Sequence, residues 1–191
     1  MPNSFDADSP DAASSDSASG ILCAPAVTPF ALRDDGTFPN HPELPLVLYR
    51  HALDVDVQQM VAVERLIRHN GWGSTWRNGI YRYHHYHSTA HEVLAVMQGG
   101  AQLLLGGDDG ATLDVNAGDV LILPAGMAHK NIGREAGFKV IGAYPEGQQW
   151  DMNYGRADER PQADRNIKRV PLPTTDPIYG DGGPLHTLWG L

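Results

Sequence analysis

The sequence predicts an all-β protein, a small barrel or sandwich with one amphipathic helix on its outside. Three observations carry this. Between residues 80 and 144, short apolar runs follow one another across glycine-marked turns, which is the spacing of antiparallel strands rather than of β-α-β units. Residues 56–69 hold the one convincing helical period. The stretch His84-His85-Tyr86-His87-Ser88-Thr89-Ala90-His91-Glu92 crowds four histidines beside a glutamate, and His129 follows one strand pair later. That is the makings of a metal site inside a barrel.

Residues 1–20 are Ser, Asp and Ala with almost nothing large and apolar. Such a segment cannot offset its ordering entropy by burial and is expected to be a disordered tail, leaving 21–191 as a single domain. A strand is expected from about Ala26, a turn at Asp34-Asp35-Gly36, and a short strand over 46–49. In the helix, Met60, Val63 and Ile67 recur at three and four spacing, and Leu66 widens the stripe. Asp54 or Asp56 can cap its start, Gly71 supplies the left-handed exit, and Arg65, Arg68 and His69 suit its C-terminal end. Trp72 and Trp76 sit on a Gly-rich bend, where they either pin the segment to a core or roof a ligand cavity. Strands are then expected over 80–87, 92–98, 101–105, 112–115, 119–123, 128–131 and 138–144, the metal-site core spanning about 76–145. Residues 146–175 read as loop. The end carries Ile178, Tyr179, Leu185, Leu188 and Trp189, too apolar for a free tail, so 146–191 is expected to wrap on the barrel or on a partner subunit.

Composition removes several functions. A net charge of −9, with 14 Lys and Arg and no run of them, disfavours nucleic acid. No apolar stretch approaches the length of a membrane span. The single cysteine, Cys23, excludes an intrachain disulfide, and the start lacks a signal peptide's basic and apolar stretches, so the cytoplasm is expected. The pairs Gly99-Gly100 and Gly106-Gly107 lack the context of a phosphate loop, and no serine has that of a nucleophile elbow.

Strand parity sharpens the site. Side chains two apart on a strand face the same way, so His85 and His87 can both point inward while His84 and Tyr86 point out. Glu92 opens the next apolar run and shares a face with Leu94 and Val96. His129 lies just past the Pro124-Ala125-Gly126 turn. Three imidazoles and one carboxylate suit Fe(II), Mn(II), Ni(II), Co(II) or Zn(II) better than Cu(I), Mg(II) or Ca(II). His91 is the rival ligand to Glu92, but its parity turns it away. Tyr81 and Tyr83 share parity with the histidine pair and either line the cavity or pack within the barrel. Arg77 or Lys130 is the candidate clamp for an anionic substrate.

These residues resemble a known family. Gly79, five residues, His85-x-His87, four residues, Glu92, six residues and Gly99 resemble the first cupin motif without a gap. Gly118, five residues, Pro124-x-Gly126, two residues and His129 resemble the second, except that Gly133 stands where an asparagine is usual and the nearest asparagine is Asn131. The resemblance implies a double-stranded β-helix, the jelly-roll barrel of cupins, with His85, His87, Glu92 and His129 holding one divalent metal. The wider run from Trp76 to Pro145, with Asp176-Pro177-Ile178-Tyr179-Gly180, is similar to single-domain bacterial cupins without an assigned reaction. Cupins include dioxygenases, isomerases, decarboxylases, sugar-binding and storage proteins, so the motifs define place rather than reaction. The leading expectation is a metal-dependent enzyme of dioxygenase or isomerase type acting on a small organic molecule, with no catalytic residue named beyond the ligands. The alternatives are a non-catalytic binding cupin and a structural cupin with an empty site. A homodimer is expected through the N-terminal strand and the apolar C-terminal segment.

Overall fold

The computed structural model describes residues 20–134 and 136–191. The expected tail therefore lies, apart from Gly20, outside the described residues. Among the described residues nine strands form two antiparallel sheets, and the all-β jelly-roll expectation holds. They are β1 (Ala26–Phe30), β2 (Leu46–Arg50), β3 (Trp72–Asn78), β4 (Glu92–Gln98), β5 (Gly100–Leu105), β6 (Ala111–Asn116), β7 (Val120–Leu123), β8 (His129–Arg134) and β9 (Lys139–Pro145). The larger sheet runs β1-β2-β7-β4-β9-β3 and the smaller β6-β5-β8.

The central strands of the larger sheet are buried on both faces, which is why they read as unbroken apolar runs. On β4, Leu94 and Val96 enter the space between the sheets with Leu46, Leu48, Leu103, Leu105 and Val140. The alternate residues Val93, Ala95 and Met97 face outward into a second core. The helix α1 (Met60–His69) closes that second core with Met60, Val63, Leu66 and Ile67. Its start is a 3-10 turn over Val57–Gln59, where Asp56 accepts from the Gln58 N–H at 2.7 Å and Gln59 reaches back to the Asp56 N–H. Ile178, Leu185 and Trp189 enter the same core, and Asp176, fully buried, accepts from the Tyr49 hydroxyl at 2.5 Å. No described helix is long and apolar enough to cross a membrane.

Three expectations are corrected. Residues 72–78 are a strand and not a bend, with a bulge between Gly73 and Trp76 where Ser74 takes φ 51°. Residues 80–87 are not a ladder strand. The Asn131 N–H bonds the Tyr81 carbonyl, and His129 and His85 exchange both main-chain bonds, so four steps on this segment oppose two on β8 and the residues between bulge outward. The loop after residue 146 contains a short helix, α2 (Gln162–Ile167), which buries Ala163 and Ile167.

Candidate metal centre

The folding around Glu92 begins with β4, which pairs with β7 at Leu123 and turns the Glu92 side chain into the barrel beside Leu94. The bulged segment is pinned at both ends of the histidine pair. His85 bridges to His129, and the His87 carbonyl accepts from the Gly126 N–H at 2.7 Å. Gly126 takes φ 88°, so the Pro124-Ala125-Gly126 turn needs glycine at that position. In this way the two motif halves are joined by main-chain bonds before any side chain is considered.

Four buried side chains meet here. His85, His87, Glu92 and His129 are all 5% exposed or less. Nε2 of His87 and Nε2 of His129 each lie 3.5 Å from Glu92 Oε2, and the rings of His85 and His129 are 4.1 Å apart. Each imidazole has its other nitrogen against a carbonyl: His85 Nδ1 on Tyr83 at 3.4 Å, His129 Nδ1 on Met127 at 3.1 Å, and His87 Nδ1 on Asp151. A carbonyl only accepts, so Nδ1 carries a proton in all three, and in the neutral form of each ring the lone pair falls on Nε2. Glu92 Oε2 is buried without a hydrogen-bond partner. Such an atom is satisfied by a proton, a water or a cation.

The donor types fit a divalent ion, and the two pairs that Glu92 makes with His87 and His129 stand slightly open. Among the described residues no three His, Cys, Asp or Glu groups stand at metal-holding spacing. Donors about a metal at ~2.1 Å are roughly 3.0–3.4 Å apart, so the 3.5 Å separations need a contraction of only tenths of an ångström. The charges favour the same set. Burial pushes His85 down to about 3, helped by His129 and opposed by Glu92, and burial also lowers His129. Burial works against a charge on His87, but the Glu92 carboxylate outweighs it and raises His87. Burial would raise Glu92, yet His87 and then His129 and His85 bring it to about 2. The site thus keeps an anionic carboxylate beside two imidazoles that burial favours as neutral and one, His87, whose charged form the carboxylate favours.

His91 turns away from Glu92, accepts from the Ala125 N–H at 3.0 Å and packs on Trp189 with ring centroids 4.9 Å apart. His84 also turns away, but it is covered by Phe38 rather than by solvent. Tyr81 borders the cavity and stacks on the exposed Tyr83 at 4.8 Å. Neither candidate clamp is free. Arg77 places both arms on Glu64, at 2.7 and 2.8 Å, and Lys130 bonds Asp108 at 2.9 Å. Trp72 is fully buried in the outer core, while Trp76 lines the cavity, so each half of the tryptophan alternative applies to one of the two.

A cavity of about 290 Å³ opens over His85, His87 and His129, walled by Ile80, Leu94, Trp76, Tyr144, Trp150 and Met152. Trp76 reaches it because Gly142 lies opposite. A Cβ there would come within 2.1 Å of the indole. Its Nε1–H donates to the Tyr144 hydroxyl at 3.1 Å. Burial, and next the Glu92 charge, raise Tyr144, which keeps its proton. Trp150 and Met152 come from a loop that nothing in the histidine motifs announces. Asn131 shares the face of His129 on β8, and its buried amide atoms have no partner, so they too await a water or a ligand oxygen.

A barrel of this topology with inward histidines is the architecture of the cupins, and the chain belongs to that family. The cupin sequence model matches residues 74–148. The uncharacterized protein YjlB of Bacillus subtilis (strain 168) is 42% identical over 156 residues, which are 82% of this chain and 92% of that one. Among solved structures, acireductone dioxygenase from Bacillus anthracis with a cadmium ion in its active center is similar over 50% of this chain and 64% of its own, at 14% identity and a TM-score of 0.37. Bacillus subtilis oxalate decarboxylase, described with Mn(II) centers, is similar over 68% of this chain and 28% of its own, at 20% identity and a TM-score of 0.32. These last two are likenesses of fold.

Proposed function

We propose that His85, His87, Glu92 and His129 hold one divalent ion (Fe, Mn, Ni, Co or Zn) and that the protein is an enzyme acting on a small organic molecule. The observation that supports this most is the common orientation of the imidazoles. All three Nδ1–H groups face main-chain carbonyls, which leaves three lone pairs around a buried carboxylate oxygen that lacks a partner. When bound, the ion supplies Lewis-acid polarisation of a substrate oxygen and, for a redox-active metal, electron exchange, the chemistries of isomerase and dioxygenase types. The chain supplies the rest. Glu92 stays ionised and lowers the charge of the site. The Tyr144 hydroxyl accepts from Trp76 and retains its own proton to donate to an oxygen in the cavity. Trp76, Trp150 and Leu94 keep water from the space above the histidines.

A second reading, a protein that holds metal and ligand without turnover, is favoured by the same cavity. Tyr144 is its one evident proton donor near the carboxylate, and Arg77 is tied to Glu64. Metal analysis of protein purified without an affinity tag tests both readings, with about one ion per chain expected. His87→Ala should lose it. A protein that takes up no metal under any loading condition would remove both. For assembly we propose a homodimer, supported by the outer edge of β1, which pairs with no described strand. Equilibrium sedimentation giving a monomer at micromolar concentration would sink that proposal.

A further inference from the structure

We propose that the cavity selects a flat, conjugated molecule with a single ionised oxygen, of the phenolate or ring-enolate class, and disfavours aliphatic dianions. This rests on the metal reading above and concerns what the walls add to it. Three observations support it.

The walls beside His87 are aromatic. Trp150 and Tyr144 lie nearly parallel, with centroids 5.9 Å apart and planes at 23°, and Trp150 is 5.6 Å from the His87 ring. A flat π-system laid beside them gains offset-stacked contact that an aliphatic chain of equal size does not.

The mouth continues the same surface. Tyr81, Tyr83, Trp150 and Tyr154 are all more than a third exposed. Tyr81 stacks on Tyr83, and Tyr83 tilts against Tyr154 at 5.8 Å. Clustered exposed aromatics around a concave polar centre mark a binding site rather than chance exposure.

The charge count limits the ligand to one negative group. A divalent ion, three neutral imidazoles and Glu92 leave one positive charge, which one anionic oxygen cancels. Arg77 is the only Lys or Arg in the lining, and Glu64 takes both of its arms. Deep in the cavity a second carboxylate or a phosphate would sit against Trp76, Leu94 and Trp150, while Arg134 beside Gly79 and Arg156 over the Tyr154 ring stand only at the rim, so burying that charge costs more than the stacking returns.

Three chelators separate these contributions. Tropolone binds metals as a monoanion on a conjugated ring, acetohydroxamate as a monoanion without a ring, and oxalate as a dianion. Each is titrated by calorimetry into zinc-loaded protein, and each affinity is divided by that chelator's affinity for aqueous zinc. Normalised binding of tropolone should exceed that of acetohydroxamate by roughly tenfold, with oxalate the weakest. Trp150→Ala should lower normalised tropolone binding more than acetohydroxamate binding, so that the ring preference is lost. Trp150→Leu, which keeps bulk without the π-face, should do the same. Equal normalised affinities, oxalate binding tightest, or a ring preference that survives both variants would overturn the proposal and leave the metal reading standing. A protein that binds no zinc would overturn the metal reading, and this proposal with it.

Discussion

His87 gives its Nδ1 proton to the main-chain carbonyl of Asp151, so the loop that walls the cavity also aims an imidazole at Glu92. The loop is held by the Asp151 carboxylate, which accepts from the Ser88 N–H at 2.6 Å and from the Ser88 hydroxyl. Asp151→Ala removes the clamp without removing the carbonyl. Partners that orient a metal-bound histidine typically matter by about 10–100-fold in affinity, and a loss near the lower end is expected here. Competition with a chromophoric chelator measures it. Unchanged affinity would show that the loop holds its place without Ser88.

Metal uptake should release protons increasingly as pH falls, and His87 should be the first of the three imidazoles to contribute. His87 is the imidazole that Glu92 raises, while His85 and His129 are lowered and already neutral. Calorimetry in buffers of different ionisation enthalpy counts the protons. Glu92→Gln removes the main cause of the shift, so proton release in that variant should set in at a lower pH than in the parent.

His91 makes the protein sensitive to acid independently of metal. Burial holds it down at about 3, with the nearby His41 adding to the effect, and its Nδ1 already accepts from Ala125. The sign follows from linkage. Below the unfolded value of about 6.5 the unfolded chain takes up a proton that the folded chain refuses, so stability falls as pH drops from there toward 3. The slope from one such histidine is at most about 1.4 kcal/mol per pH unit. His91→Gln, which can still accept from Ala125, should flatten the urea-midpoint profile between pH 6 and 4. A profile as steep as the parent's would assign the acid sensitivity elsewhere.

Deleting residues 176–191 should prevent stable folding, whereas deleting 2–20 should leave the melting temperature and the metal content intact. The first cut removes Ile178, Leu185 and Trp189, each 5% exposed or less, and strands the buried Tyr49 hydroxyl. Side chains of this size contribute about 1.5–3 kcal/mol each by transfer, a sum comparable to the whole stability of a domain. The second cut stops before Ile21, which is buried and whose carbonyl accepts from Asp54. Thermal melts of both deletions decide the contrast.

The sequence by itself determined the fold class, the placing of most strands and the grouping of His85, His87, Glu92 and His129. Those features depend on local spacing. Period-two alternation puts Glu92 with Leu94 and Val96 on one face of β4, and a Pro-x-Gly turn sets the entry to His129. The strand over Trp72–Asn78 escaped because Gly73 and Ser74 look like turn residues, and only pairing with β9 makes them a bulged strand. The expected strand over 80–87 failed for the converse reason. Its pattern is β-like, but its bonds to β8 are out of step by two residues.

Tertiary structure alone decided what surrounds the four candidate ligands. Trp150 and Met152 enter from a distant loop, and Glu64 neutralises Arg77 from the facing helix. Gly142 makes room for the Trp76 ring across a strand pair. Three carbonyls, one of them 64 residues away in sequence, choose the imidazole tautomers. None of these relations has a sequence period, because each joins residues from elements that meet only when the sheets close. Motif spacing therefore locates the chemistry, while the wall shape and charge that select a substrate come from long-range packing.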